Sequence, residues 1–319
     1  MPKTIHTVTG PISTDKLGMT LMHEHIKVSA SGAELDPTVP HDKGPIIEEA
    51  VADLHELPRL GVKSIVDPLP IDLGRDVEIM REVSRQLGLN VIAATGFYHE
   101  QSGLPTHFRR RNADQLAETM VHEITHGVGK TGIHPGIIKC ASWNTPFSRA
   151  EEQAIRAAGR AHRATGTPIT THTTAGTYGP QQLDLLQEEG VSPERVIVGH
   201  CCASSDLRYL KSILDRGAWI GIDQIGSAHF NTDDIRAGIV AGVIGMGYMH
   251  KLVISMDHVA CFAFGYTMPL NLPVHQPDRT DRTFTDIFDT FLPALKKHGI
   301  TEETLHHIMV DNPRKFFEG

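Results

Sequence analysis

The chain has 319 residues, 40% of them hydrophobic and 21% charged, which is the balance of a folded globular protein and excludes a disordered or membrane-embedded one. Its net charge of -8, with no basic arm, argues against nucleic acid and against an anionic membrane as partners. Four cysteines (Cys140, Cys201, Cys202 and Cys261) do not make a disulfide framework, and no signal-like or membrane-spanning apolar run occurs, so a cytoplasmic location is expected.

In chain order, Leu21-Met22-His23-Glu24-His25-Ile26 reads as a short strand after a turn-prone stretch over 15–18. Strand alternation puts Leu21, His23 and His25 on one face and Met22, Glu24 and Ile26 on the other, and two imidazoles at that spacing can grip one metal ion. A polar loop over 29–43 and a helix over 45–60 lead to a strand over 62–67, ended by Pro68 and Pro70. A helix over 72–86 precedes a strand over 90–98, and a helix over 113–126 precedes one over 136–141. Ser148 and Glu151 form a capping box that opens a helix to about residue 165. Then come a strand over 168–173, a helix over 180–189, a strand over 195–200 and a helix over 205–216. The last strands, over 218–223 and 251–257, flank a Gly-rich helical segment over 232–246. A long loop over 258–282 follows, then helices over 284–297 and 301–309.

Strict alternation of eight strands with about eight helices predicts an α/β fold, a (β/α)8 TIM barrel spanning 1–319 as a single domain. The rival, an open doubly wound sheet, announces itself by a Gly-rich phosphate turn after its first strand, and none is present.

A barrel carries its active site at the C-terminal ends of its strands. The residues there are His23, His25, Lys139, His172, His200 and Asp257, in a chain with 20 histidines. Four imidazoles and a carboxylate suffice for two divalent metals if Lys139 bridges them. Its neutral amine can add carbon dioxide to give an anionic carbamate, each oxygen binding one metal; the alternative is an ion pair between Lys139 and Asp257. The two metals would share a hydroxide nucleophile and polarise the electrophile, and Asp257 would accept the proton. Esters, lactones, amides and phosphoesters are all compatible. Zinc, manganese, cobalt or iron suits these ligands, zinc being the first expectation.

Around this set, Asp67 and Asp223 are either partners of the ligands or polar rim. Tyr98 contacts substrate or packs against a loop, His258 is a neighbour of the site or plain loop, and Cys201 with Cys202 are packing residues. His122-Glu123-Ile124-Thr125-His126 matches a zinc-protease signature. On its helix, however, Leu116, Met120 and Ile124 make the buried stripe, so His122 and His126 are expected to face solvent.

Taken together, the chain resembles the phosphotriesterase family of the amidohydrolase superfamily. The likeness runs from Thr9-Gly10-Pro11-Ile12 and Met22-His23-Glu24-His25-Ile26 through Asp67-Pro68, Gly74-Arg75-Asp76-Val77, Thr95-Gly96-Phe97-Tyr98, Ile138-Lys139, Thr171-His172-Thr173 and Gly199-His200 to Asn312-Pro313-Arg314-Lys315-Phe316-Phe317. It implies that His23, His25, Asp257 and the Lys139 carbamate hold a buried metal, and the carbamate with His172 and His200 an exposed one. It also implies a homodimer. Tyr98 resembles the strand-three tyrosine of the family's lactonases.

Two positions differ. Gln224 stands where lactonases carry arginine and phosphotriesterases histidine, and Ala203 where the family tends to have aspartate. A binuclear hydrolase of lactones or other carboxylic esters is therefore expected, with phosphotriester cleavage as a side activity. The rivals are a dedicated organophosphate triesterase (aryldialkylphosphatase) and, from another class, a catalytically silent metal-stabilised binding protein. Tyr98, Gln224 and His258 are the expected substrate contacts, and the loop from Cys261 to Arg282, with Phe262, Phe264, Tyr266 and Met268, is expected to shape the pocket.

Overall fold

Eight strands, β1 to β8, run round a barrel in chain order: Met19–Leu21, Val62–Asp67, Asn90–Gly96, Ile137–Ser142, Ile169–Thr173, Val196–Val198, Trp219–Ile222 and Leu252–Ile254. Each pairs in parallel with the next. Between them lie helices α1 to α7: Lys43–Leu54, Val77–Leu87, Ala113–His126, Arg149–Thr165, Gly179–Glu188, Leu207–Leu214 and Asp233–Gly245. This is the TIM barrel expected from the alternation. The computed structural model describes residues 2–227, 229–263 and 282–319. Of the loop residues expected to shape the pocket, Phe264, Tyr266 and Met268 lie outside the described residues.

Local chemistry starts and stops these helices, α1 ending at Leu54 and α2 opening only at Val77 where helices over 45–60 and 72–86 were expected. Asp76 accepts hydrogen bonds from the amides of Glu78 and Ile79 to open α2, and Gly88 closes it in the left-handed conformation. Ser148 and Glu151 form their capping box on α4, and Asn112 with Gln115 forms a second on α3. Each cap contributes about 1 kcal/mol. The apolar residues divide into two layers. Met22, Val66, Ile92, Ile137, Ile197 and Val253 belong to the barrel interior, joined by Phe316 and Phe317 of the C-terminal helix. Leu54, Val83, Met120, Ile155, Leu183 and Val240 pack between strands and helices.

The first strand departs from expectation. Residues 22–24 leave the strand, so Leu21 ends β1 while His25–Val28 pairs in parallel with Val259–Phe262 in a separate small sheet. Leu21 faces the outer layer and Met22 the interior, so the simple alternation fails. Glu24 sits at this break, fully buried, and its carboxyl oxygens accept hydrogen bonds from Ser255 Oγ and from the amides of Met256 and His258. His23 N donates to Ser255 Oγ and Asp257 N to His23 O. These bonds close the seam between β1 and β8, where the eight-stranded ladder does not run. The N-terminal hairpin of Thr4–Thr7 with Gly10–Ser13 was not foreseen either, nor was the C-terminal helix Asn312–Glu318.

Candidate metal centre

The strand ends bring the six predicted ligands into one place. His23 Nε2 lies 3.3 Å from Lys139 Nζ and 3.6 Å from Asp257 Oδ1, and His25 Nε2 lies 3.2 Å from the same Asp257 oxygen. The His200 ring is 4.8 Å from that of His23 and 4.5 Å from that of His172. Ligand atoms of His23, His200 and Asp257 all fall within 4.8 Å of one another. Lys139 is buried, and its amine neighbours His23 instead of pairing with Asp257. Gly96 makes that placement of β4 against β3 feasible: at φ +119°, any Cβ there would stand 1.9 Å from the Lys139 carbonyl oxygen.

Carboxylates behind the imidazoles fix their orientation. Asp223 serves two of them, with Oδ2 3.1 Å from His23 Nδ1 and Oδ1 3.1 Å from His200 Nδ1, and it also accepts from the His200 amide at 2.8 Å. Asp67 Oδ1 lies 3.0 Å from His25 Nδ1, and Oδ2 accepts from Ile26 N at 2.9 Å. Both aspartates, left open as rim or partner by the sequence, are buried and bound to the histidines of the cluster. With Nδ1 engaged in this way, Nε2 of His23, His25 and His200 is left for a metal, the arrangement in which a second partner sets ring angle and basicity.

The electrostatics fit cations. Burial, aided by the charge of Lys139, lowers His23 to about 3, and burial with His200 and His99 nearby holds His172 well below its ordinary value, so both rings are neutral, the form that can coordinate a metal. Burial brings Lys139 down to about 8 despite the attraction of Asp257 and Asp223. Asp257 and Asp223 stay ionised: burial opposes it, but the neighbouring histidines prevail. His25 goes the other way. Burial works against its proton, yet the carboxylates of Asp257 and Asp67 raise it to about 9, the position of a charge that a metal ion would replace. His200 and Asp257 both adopt left-handed backbone, φ 59° and 51°. Such strain costs about 1–3 kcal/mol per residue and gathers at functional sites.

Around this centre, the Tyr98 hydroxyl lies 3.1 Å from His172 Nδ1, and Gln224 Nε2 lies 3.4 Å from Asp257 Oδ2. Gln224 Oε1 is buried with no hydrogen-bond partner among the described residues. His258, expected beside the substrate, instead places its imidazole 2.9 Å from Asp53 on α1 and packs against Phe284. His99 and Trp143 were missed. The His99 ring lies 4.1 Å from Tyr98, 5.0 Å from Trp143 and 5.4 Å from His172, and nothing but its place next to Tyr98 marks it in the sequence. The protease-like motif is unconnected to the centre. His122 and His126 stack on each other at the exposed face of α3, while Glu123 is clamped by both Arg75 Nη atoms, at 2.6 and 2.8 Å, and by Thr95 Oγ1.

The model of the phosphotriesterase family matches residues 3–317. The chain belongs to the phosphotriesterase family. A phosphotriesterase homology protein of Mycobacterium tuberculosis is 36% identical over 327 aligned positions, covering 100% of this chain and 98% of that one. A mutant organophosphorus hydrolase from Deinococcus radiodurans superposes with a TM-score of 0.92 at 34% identity, covering 99% of this chain and 97% of its own. A second solved structure, described as organophosphate hydrolysis activity engineered from a weak promiscuous lactonase template, gives 0.91 at 34% identity, covering 99% and 100%. This phosphotriesterase-family chain is a metal-dependent hydrolase of ester bonds. Among the described residues, no helix is long and apolar enough to cross a membrane.

Proposed function

We propose that the chain is a two-metal hydrolase that cleaves lactones or other carboxylic esters through a metal-bridging hydroxide, with phosphotriester hydrolysis as a side activity. The observation that carries this reading is the convergence of His23, His25, His172, His200, Lys139 and Asp257, with buried carboxylates behind three of the imidazoles. His23, His25 and Asp257 would hold one ion and His172 with His200 the other. Lys139 would join them once its neutral amine forms a bond to the carbon of carbon dioxide, loses a proton to solvent and becomes a carbamate. Two divalent ions, zinc being the first choice, would supply a hydroxide at neutral pH and polarise the carbonyl.

The chain's own groups do the rest. Asp257 takes the proton of the attacking nucleophile, its carboxylate kept ionised by the surrounding histidines. The Tyr98 hydroxyl, braced beside His172, steers the substrate carbonyl, and the Gln224 amide orients Asp257 at 3.4 Å. Tyr98 favours the lactone reading, as does the likeness to the template described as a weak promiscuous lactonase. The second reading, a dedicated organophosphate triesterase, draws on the likeness to an organophosphorus hydrolase. Gln224 and Ala203 count against it, since neither can relay a proton. Turnover of a lactone panel beside an aryl phosphotriester by the zinc-loaded protein decides between them. Lactone turnover faster by orders of magnitude is expected; a phosphotriester preference would overturn the first reading in favour of the second.

A further inference from the structure

Arg282 lies where the segment after β7 meets the end of β8, half-buried and with its Nε sealed from solvent. Its Nη2 donates to the Ile225 carbonyl at 2.6 Å and also to the Met256 carbonyl. Ile225 follows Gln224, and Met256 precedes Asp257. From the opposite side, the amides of Met256 and His258 donate to Glu24 at 2.8 and 3.1 Å. The backbone on either side of Asp257, itself in left-handed conformation, is therefore gripped at its N–H groups by a carboxylate and at a carbonyl by a guanidinium.

Gly226 adds an independent observation. At φ +77°, a Cβ at this position would stand 3.1 Å from Arg282 Nε and 3.3 Å from Asp286 Oδ2, so glycine lets the loop after β7 pack closely on the guanidinium in a backbone conformation other residues adopt with strain.

We propose that Arg282 is a positioning residue for hydrolysis: by tying the carbonyls of Ile225 and Met256 to one nitrogen, it sets where Gln224 and Asp257 stand over the ligand cluster. The two N–H bonds of Nη2 diverge in a rigid plane, which restricts the directions in which the two carbonyls can be held. An ammonium group on a flexible stem does not reproduce this. No part of the lactone assignment enters, since any ester that the parent hydrolyses reports on the placement of Asp257.

The test uses the full chain, loaded with cobalt(II) so that its visible absorption reads the coordination geometry. In Arg282→Ala, kcat on that ester should fall about 10–100-fold, the usual cost of losing a group that orients a metal ligand, while KM changes little. The cobalt band should shift, and millimolar guanidinium should restore both, whereas urea at the same concentration should not. Parental kcat and spectrum overturn the proposal, and so does a loss that guanidinium leaves unrepaired. Should Arg282→Ala fail to fold, Gly226→Ala crowds Nε without removing the charge. A lowered kcat and a shifted band are then expected, and parental values overturn the proposal.

Discussion

Asp223 carries more of the centre than its place in the sequence suggests. One carboxylate orients His23 and His200 at once, and its hydrogen bonds and electrostatic interactions with those rings keep it ionised in a buried position that would otherwise neutralise it. Asp72 is a buried carboxyl of the opposite kind. Burial raises it to about 7, although it accepts the Tyr98 amide at 2.9 Å. The folded chain keeps this proton up to about pH 7, whereas the unfolded chain releases it near the ordinary value of 3.8. Folding is thus progressively disfavoured as pH climbs through that window, by up to about 1.4 kcal/mol per unit. Asp72→Asn removes the slope. Its melting temperature relative to the parent should rise between pH 5 and pH 8, and a constant difference would refute the assignment. The cluster of strand-end residues was legible, because a polar residue closing an apolar strand is a signal within a few neighbouring positions. Asp223 and Asp67 showed only as strand ends, since what they do depends on partners far off in the chain.

At the scale of elements, the seam between β1 and β8 is the part that alternation misread. Ser255 sits in it with both hydrogen-bonding capacities used, donating to Glu24 at 2.7 Å and accepting from His23 N at 2.8 Å. Ser255→Ala leaves a buried amide and a carboxylate oxygen short of partners, a loss of about 1–3 kcal/mol. Circular dichroism should register a lowered melting temperature, and a parental one would mean that the Glu24 bonds to the Met256 and His258 amides and the backbone bond between Asp257 and His23 suffice to hold the seam. The contact joins positions 232 apart in the chain, beyond the reach of any local pattern. By contrast, the α3 stripe of Leu116, Met120 and Ile124 could be read directly, because helical spacing decides which face is buried, and with it the outward stacking of His122 and His126.

At the scale of the whole molecule, the alternation of short apolar strands with amphipathic helices was enough to place the chemistry, because a barrel gathers the ends of all its strands on one rim. The features proposed to set the substrate are single rim residues such as Tyr98 and Gln224, and loops in general vary more freely in sequence than the elements they connect. The central claim is that two metal ions are held through Lys139. Elemental analysis of metal per chain, on the parent and on Lys139→Ala, tests it most directly. A ratio near two is expected for the parent and a much lower one for the variant, with metal and activity partly recovered when a short-chain carboxylic acid is supplied. A parent that binds a single ion, or a variant that keeps two, would contradict it.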